Sequence, residues 1–127
     1  MSIDIKYDGN IGVTFTLYNE FSYPEVVNAC KELFASDDFK NIKYWVIDRS
    51  NSINYNLTTP QTRSLAELCI SASSKNKELT HILVSSTDLE YGMANMFQVF
   101  EDKTDWNLLS FKEIESVYQW VNDNIHP

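Results

Sequence analysis

The chain has 127 residues, 43% of them hydrophobic, and a formal net charge of −8. That length matches one domain, so residues 1–127 are expected to build a single core without help from disulfides or a structural metal. The acidic balance argues against nucleic acid and anionic membranes as partners, since both select a clustered basic footprint, and no apolar run approaches the ~20 residues that span a bilayer.

Residues 2–18 read as a β-hairpin. Ile3, Ile5 and Tyr7 alternate with Ser2, Asp4 and Lys6, and Ile11, Val13, Phe15 and Leu17 alternate with Gly12, Thr14, Thr16 and Tyr18. Between them Asp8-Gly9-Asn10 supplies residues that tolerate a tight turn. An N-terminal stretch that alternates and carries acid early does not look like a signal peptide, so a cytoplasmic location is expected.

Ser22-Tyr23-Pro24-Glu25 has the form of a capping box, with Phe21 and Val26 placed as a hydrophobic staple. Val26, Cys30, Leu33 and Phe34 give the first helix its apolar face, to about Ser36. Tyr44-Trp45-Val46-Ile47 is a short apolar run suited to a strand covered on both sides, ended by Asp48-Arg49-Ser50. The polar segment from Asn51 to Leu57 reads as a loop. Thr58-Thr59-Pro60-Gln61 opens a second helix, with Pro60 in the first turn and Leu65, Leu68, Cys69 and Ala72 as its buried stripe.

Ile82-Leu83-Val84 is the next strand. Thr87-Asp88-Leu89-Glu90 starts a third helix, on which Leu89, Met93, Met96, Phe97 and Phe100 recur at helical spacing. Trp106 to Leu109 form a last strand. Ser110-Phe111-Lys112-Glu113 is the cap of a fourth helix, buried through Ile114, Val117, Tyr118, Val121 and Ile125. The four capping hydroxyls, on Ser22, Thr58, Thr87 and Ser110, are structural first, each contributing about 1 kcal/mol to its helix.

The order ββαβαβαβα implies an α/β domain with a mixed five-stranded sheet, parallel after the hairpin. Three stretches carry a resemblance on top of this order. They are Tyr44-Trp45-Val46-Ile47-Asp48, the run from Ser85 to Phe97 with Gly92-Met93-Ala94-Asn95-Met96-Phe97 as its most specific part, and Ser110-Phe111 leading to Tyr118-Gln119-Trp120-Val121. In these the chain resembles small bacterial proteins of the SpoIIAA-like, or STAS-like, fold. The resemblance implies a regulatory module that binds other proteins, sometimes switched by phosphorylation at the start of the second helix. There this chain has Asn56-Leu57-Thr58-Thr59-Pro60 in place of the Asp-Ser-Ser-Gly-like stretch of signalling members, and it has Asn95 where many relatives are expected to carry Arg.

Residues suited to catalysis are few. His81 and His126 are the only imidazoles. His81 begins a strand, whereas active groups of open α/β sheets gather beyond the carboxyl ends, so it reads as surface decoration. Cys30 and Cys69 fall on apolar helix faces and read as reduced, buried thiols. No spacing suits a zinc site, and no glycine-rich phosphate loop is present; neither a metal nor another cofactor is expected, and no enzyme activity. Gly92 reads as a point of close helix–sheet approach, with a cavity lined by Met93 and Met96 as the alternative.

The chemically suggestive grouping is Asp48, Arg49, Ser50, Thr58, Thr59, Ser85, Ser86 and Thr87, which should converge on one rim at the strand carboxyl ends, where hydroxyls and free N–H groups suit a small anion. Ile70, Tyr91, Asn95 and Val99 are candidates for an interface. Two functions follow: a noncatalytic interaction module, docking a partner protein or a second copy as a homodimer, or a small-molecule or lipid-binding domain that uses the rim or a Met-lined cavity.

Overall fold

A computed structural model describes residues 2–52, 57–87, 97–99 and 102–126. Its sheet has five strands in the order in which the chain makes them: β1 (Ile3–Asp8), β2 (Gly12–Asn19), β3 (Tyr44–Ser52), β4 (Thr80–Val84) and β5 (Asn107–Phe111). β1 and β2 are antiparallel, and every later pairing is parallel. The helices are α1 (Tyr23–Ala35), α2 (Thr59–Ala72) and α3 (Ile114–Asn124), and Phe97, Gln98 and Val99 are helical as well. The class is therefore α/β with a mixed sheet, as the alternation of elements predicts. Among the described residues no helix is long and apolar enough to cross a membrane.

The hairpin turns where expected. Gly9 adopts φ +53, a conformation glycine takes without a Cβ penalty, and Ile11 N donates to Asp8 O at 3.0 Å. Both early capping boxes form. Glu25 N donates to Ser22 Oγ and Ser22 N to Glu25 Oε1, while Gln61 N donates to Thr58 Oγ1 and Thr58 N to Gln61 Oε1. The Ser22 hydrogen bonds hold the Glu25 carboxyl below its ordinary range. Ser2 N also donates to Glu25 Oε2, so the same side chain ties β1 to α1.

Strand alternation divides the core in two. Val13, Phe15 and Leu17 of β2, with Trp45 and Ile47 of β3, face α1 and α2 and meet Val26, Cys30, Leu33, Leu65 and Cys69. Tyr44, Val46, Ile82 and Val84 point the other way, against Val117 and Val121 of α3. The last helix thus covers the face that α1 and α2 leave open. Trp45 centres the larger core, with the rings of Phe15, Phe34 and Trp106 edge-on to it at 5.5, 5.5 and 6.1 Å. Burying side chains of this size contributes about 1.5–3 kcal/mol each.

Five expectations need correction. Tyr118 of α3 is 60% exposed and not part of that helix's buried stripe. His81 is fully buried, not surface decoration: it pairs in register with Trp45, and the two rings stack at 4.0 Å and 8°. β3 does not end at Asp48 but runs to Ser52, because a bulge between the pairs Thr16–Asp48 and Tyr18–Asn51 lets the polar tail stay paired with β2. The last strand is Asn107–Phe111 rather than Trp106–Leu109. Ser110 therefore lies within β5 and does not cap the last helix, whose N-cap is Glu113 without a side-chain cap bond. Phe111 is the reason: it packs with the α3 cluster, so the strand continues through the Ser-Phe pair. The third helix's capping box beyond Thr87, and Gly92, Met93 and Met96, lie outside the described residues.

Candidate functional site

The strand carboxyl ends carry two separate openings, one on each face of the sheet. β3 contributes to both, because its residues alternate in direction.

On the α1–α2 face lies a cavity of about 60 Å³, walled mainly by apolar side chains including Leu17, Phe21, Val26, Ile47, Leu57, Leu65, Leu83 and Phe97. Cys30 and Cys69 also line it, and neither is in a disulfide. Among the described residues its polar wall is formed by Arg49, Thr62 and Ser85, with Trp45 at the core side. Arg49 is only 9% exposed, and its guanidinium carbon stands 4.8 Å from the centroid of the Phe21 ring, within cation–π range. Thr62 Oγ1 donates to Thr58 O at 3.0 Å, which settles its hydroxyl hydrogen on the first turn of α2. Two buried groups in the wall, Ser85 Oγ and Trp45 Nε1, have no hydrogen-bond partner among the described residues. Native interiors leave few such groups unsatisfied.

On the α3 face lies a wider, polar groove of about 530 Å³. Asp48, Ser50 and Ser86 line it, together with Thr16, Tyr18, Asn51, Lys112, Glu113, Glu115 and Tyr118. Asp48 is 4% exposed, and its Oδ1 accepts from Ser50 N at 2.9 Å and Ser50 Oγ at 2.6 Å. Tyr18 and Tyr118 keep 39% and 60% of their surface exposed, so aromatic rings flank a buried carboxylate.

The predicted rim is thus two sites. Asp48, Ser50 and Ser86 belong to the groove, and Arg49 and Ser85 to the cavity. Thr58, Thr59 and Thr87 are exposed and line neither of these openings. Thr58 acts as the cap of α2. Of the interface candidates, Val99 is 70% exposed and Ile70 is half-buried; Tyr91 and Asn95 lie outside the described residues. Sequence reasoning missed Thr62, Leu57, Tyr18 and Lys112 as wall residues. It also read Cys30 and Cys69 as core positions without seeing that they share a cavity.

A third depression, of about 330 Å³, sits between the hairpin and α3 and is lined by Asp8, Thr14, Tyr44, Val117 and His126, among others. Tyr44 Oη donates to Asp8 Oδ2 at 2.7 Å, and His126 Nε2 lies 2.8 Å from the same oxygen. Hydrogen bonds from His126 and then Tyr44 hold the Asp8 carboxyl below its ordinary range. Burial, reinforced by the Asp8 hydrogen bond, pushes the Tyr44 phenol up, so it stays protonated. The cluster binds the end of the chain to the hairpin. Among the described residues no group of His, Cys, Asp and Glu is arranged to hold a metal ion.

Compared with protein-family models and with curated proteins, the sequence matches none of either.

Proposed function

We propose that this chain is a noncatalytic binding domain that holds a small, largely apolar molecule in the cavity between the sheet and α1–α2. One observation carries the reading: an apolar hollow at the strand carboxyl ends whose wall includes a buried hydroxyl, on Ser85, without a partner among the described residues. Open α/β sheets bind ligands beyond those strand ends, and small-molecule sites combine apolar walls with a few placed polar groups. The imidazole of His81 is enclosed by Trp45, Trp106 and Phe97, which supports a packing role for it. Titration with 1-butanol, followed by amide chemical shifts, tests the reading. Shifts should concentrate at Cys30, Leu65, Cys69 and Leu83 and saturate. No localised change at concentrations several times about 1 mM, the dissociation constant of an interaction worth about 4 kcal/mol, would sink it.

The groove on the other face favours a second reading, that of a STAS-like regulatory module docking a partner protein or a second copy. Exposed Tyr18 and Tyr118 around a polar groove suit a protein interface, where tyrosine is enriched. The resemblance to SpoIIAA-like proteins points the same way. Light scattering across a concentration series tests self-association. A dimer that Tyr118→Glu disrupts supports it; a monomer throughout removes it.

A further inference from the structure

The groove on the α3 face has a carboxylate in its floor and two more at its edge. Asp48 pairs in register with Thr16, and Tyr18 follows along β2 on the same side of the sheet; all three line the groove. α3 adds Glu115 and Tyr118, three residues apart and so on one helix face, and Glu113 stands at its N-cap. Both side-chain hydrogen bonds of Asp48 go to Oδ1. Its Oδ2, on a residue only 4% exposed, therefore meets the groove without a hydrogen-bond partner among the described residues. All ten Lys and Arg and both His lie among the described residues, and none of them forms an ion pair with Asp48, Glu113 or Glu115. Lys112 also lines the groove and is already engaged within the protein. Three carboxylates outweigh that one cation and the roughly half positive charge at the amino end of α3, so the groove selects a cation and rejects an anion.

We infer that the groove docks an arginine side chain carried by a segment of a partner protein. The inference rests on the docking reading of this groove and adds the chemistry of the partner. A guanidinium suits the place better than a compact ammonium. Its planar fork of donors can meet Asp48 Oδ2 and a neighbouring hydroxyl together, and its flat face stacks on a tyrosine ring. The groove, about 530 Å³ in volume, is larger than one side chain, and Ser50, Asn51 and Ser86 offer polar groups to the backbone on either side. A second copy of this chain fits poorly, since each copy carries a net charge of −8 and a shared groove would set its carboxylates against one another.

The capped tripeptide acetyl-Gly-Arg-Gly-amide and its lysine and citrulline counterparts, titrated against the whole chain by amide chemical shifts at constant ionic strength, test the inference. The arginine peptide should shift Asp48, Ser50 and Tyr118 and bind at least about tenfold more tightly than the uncharged citrulline peptide, with lysine between them. Butylguanidinium, the same head without a backbone, should bind more weakly than the arginine peptide. Asp48→Asn should weaken arginine binding about tenfold and leave the citrulline peptide nearly unchanged. Glu115→Gln, at an exposed position, should weaken it several-fold and decides the matter if Asp48→Asn does not fold. Equal binding of the arginine and citrulline peptides overturns the cation while the docking reading stands. Butylguanidinium binding as tightly as the peptide overturns the partner segment in favour of a free small cation. Arginine-peptide shifts spread over surface carboxylates and untouched by either variant also overturn the inference. So does a failure of every peptide to bind: a dimer that depends on Tyr118 then keeps the docking reading with a second copy as occupant, and a monomer removes both.

Discussion

Asn76 is the sharpest test of what holds the amino-terminal end of the sheet together. Its side chain is buried, and Nδ2 donates to the carbonyls of Phe39 and Ile42, both at 2.8 Å, while Oδ1 accepts from Glu78 N at 3.2 Å. Its backbone carbonyl takes the indole N–H of Trp106 at 2.7 Å. One residue therefore joins the segment before β3 to the segment before β5. Asn76→Ala leaves two carbonyls without their donor. At about 1–3 kcal/mol for each unsatisfied buried group, and with water able to repair part of the loss, the expected cost is about 2–4 kcal/mol. Against a total stability of about 5–15 kcal/mol the variant should still fold.

Asn76→Asp is the stricter comparison. It has nearly the same shape but sets a carboxylate oxygen against the same two carbonyls. At pH 7 it should be less stable than Asn76→Ala. Those carbonyls favour the protonated acid, so its folded pKa lies above the unfolded value of about 3.9, and stability falls as pH rises from there toward the folded value. Urea unfolding followed by tryptophan fluorescence, with buried Trp45 and Trp106 as reporters, measures both effects as shifts in midpoint at constant slope. A loss below about 0.5 kcal/mol for Asn76→Ala, the size of an ordinary surface change, would refute the reasoning. So would an Asp variant as stable as the Ala variant at pH 7.

Three further outcomes follow from the same geometry. A Cβ on Gly12 would overlap the Tyr44 ring, so Gly12→Ala should cost about 1–3 kcal/mol in thermal unfolding, and pairing it with Tyr44→Leu should cost less than the two changes summed. Asp8 has a depressed folded pKa, so its contribution is present above the unfolded value of about 3.9 and is lost as pH falls through the folded value. Asp8→Asn should flatten that part of the acid unfolding profile, and because the pair is exposed the effect should stay under about 1 kcal/mol. Ser22→Ala and Thr58→Ala should each cost about 1 kcal/mol, whereas Ser110→Ala should be neutral or stabilising, since its buried hydroxyl has no partner among the described residues; equal losses at all three positions contradict the assignment of caps.

What could be read in advance was local. Alternation over Ile11 to Leu17 defines β2, and the spacing of Ser22 with Glu25 and of Thr58 with Gln61 marks two helix starts. The errors arose where a local signal competed with a distant partner. Ser110 has a capping-box spacing to Glu113, but Phe111 is claimed by the α3 cluster. His81 looks polar and terminal until strand pairing sets it beside Trp45. Asn76 shows no pattern at all, because the partners of its Nδ2 and of its backbone carbonyl lie 30 or more positions away. The rim differs from these, since its division was available from period two. Asp48 and Arg49 are neighbours on a strand and must face opposite ways, a rule that applies only because β3 continues through both to Ser52.

Each strand of this sheet lies beside the one made just before it. As the chain emerges from the ribosome, no strand has to wait for a partner that has yet to be synthesised. The hairpin can form first, and each later β–α unit adds to a finished edge. Such sequential pairing keeps loop closures short, which favours fast folding, and it leaves a single growing edge open to misassembly at any moment. α3, made after the five strands, packs on Val46, Ile82 and Val84, which lack that cover until it is synthesised. Truncation just before α3 should therefore yield a chain that has paired its strands yet aggregates through the uncovered Val46, Ile82 and Val84.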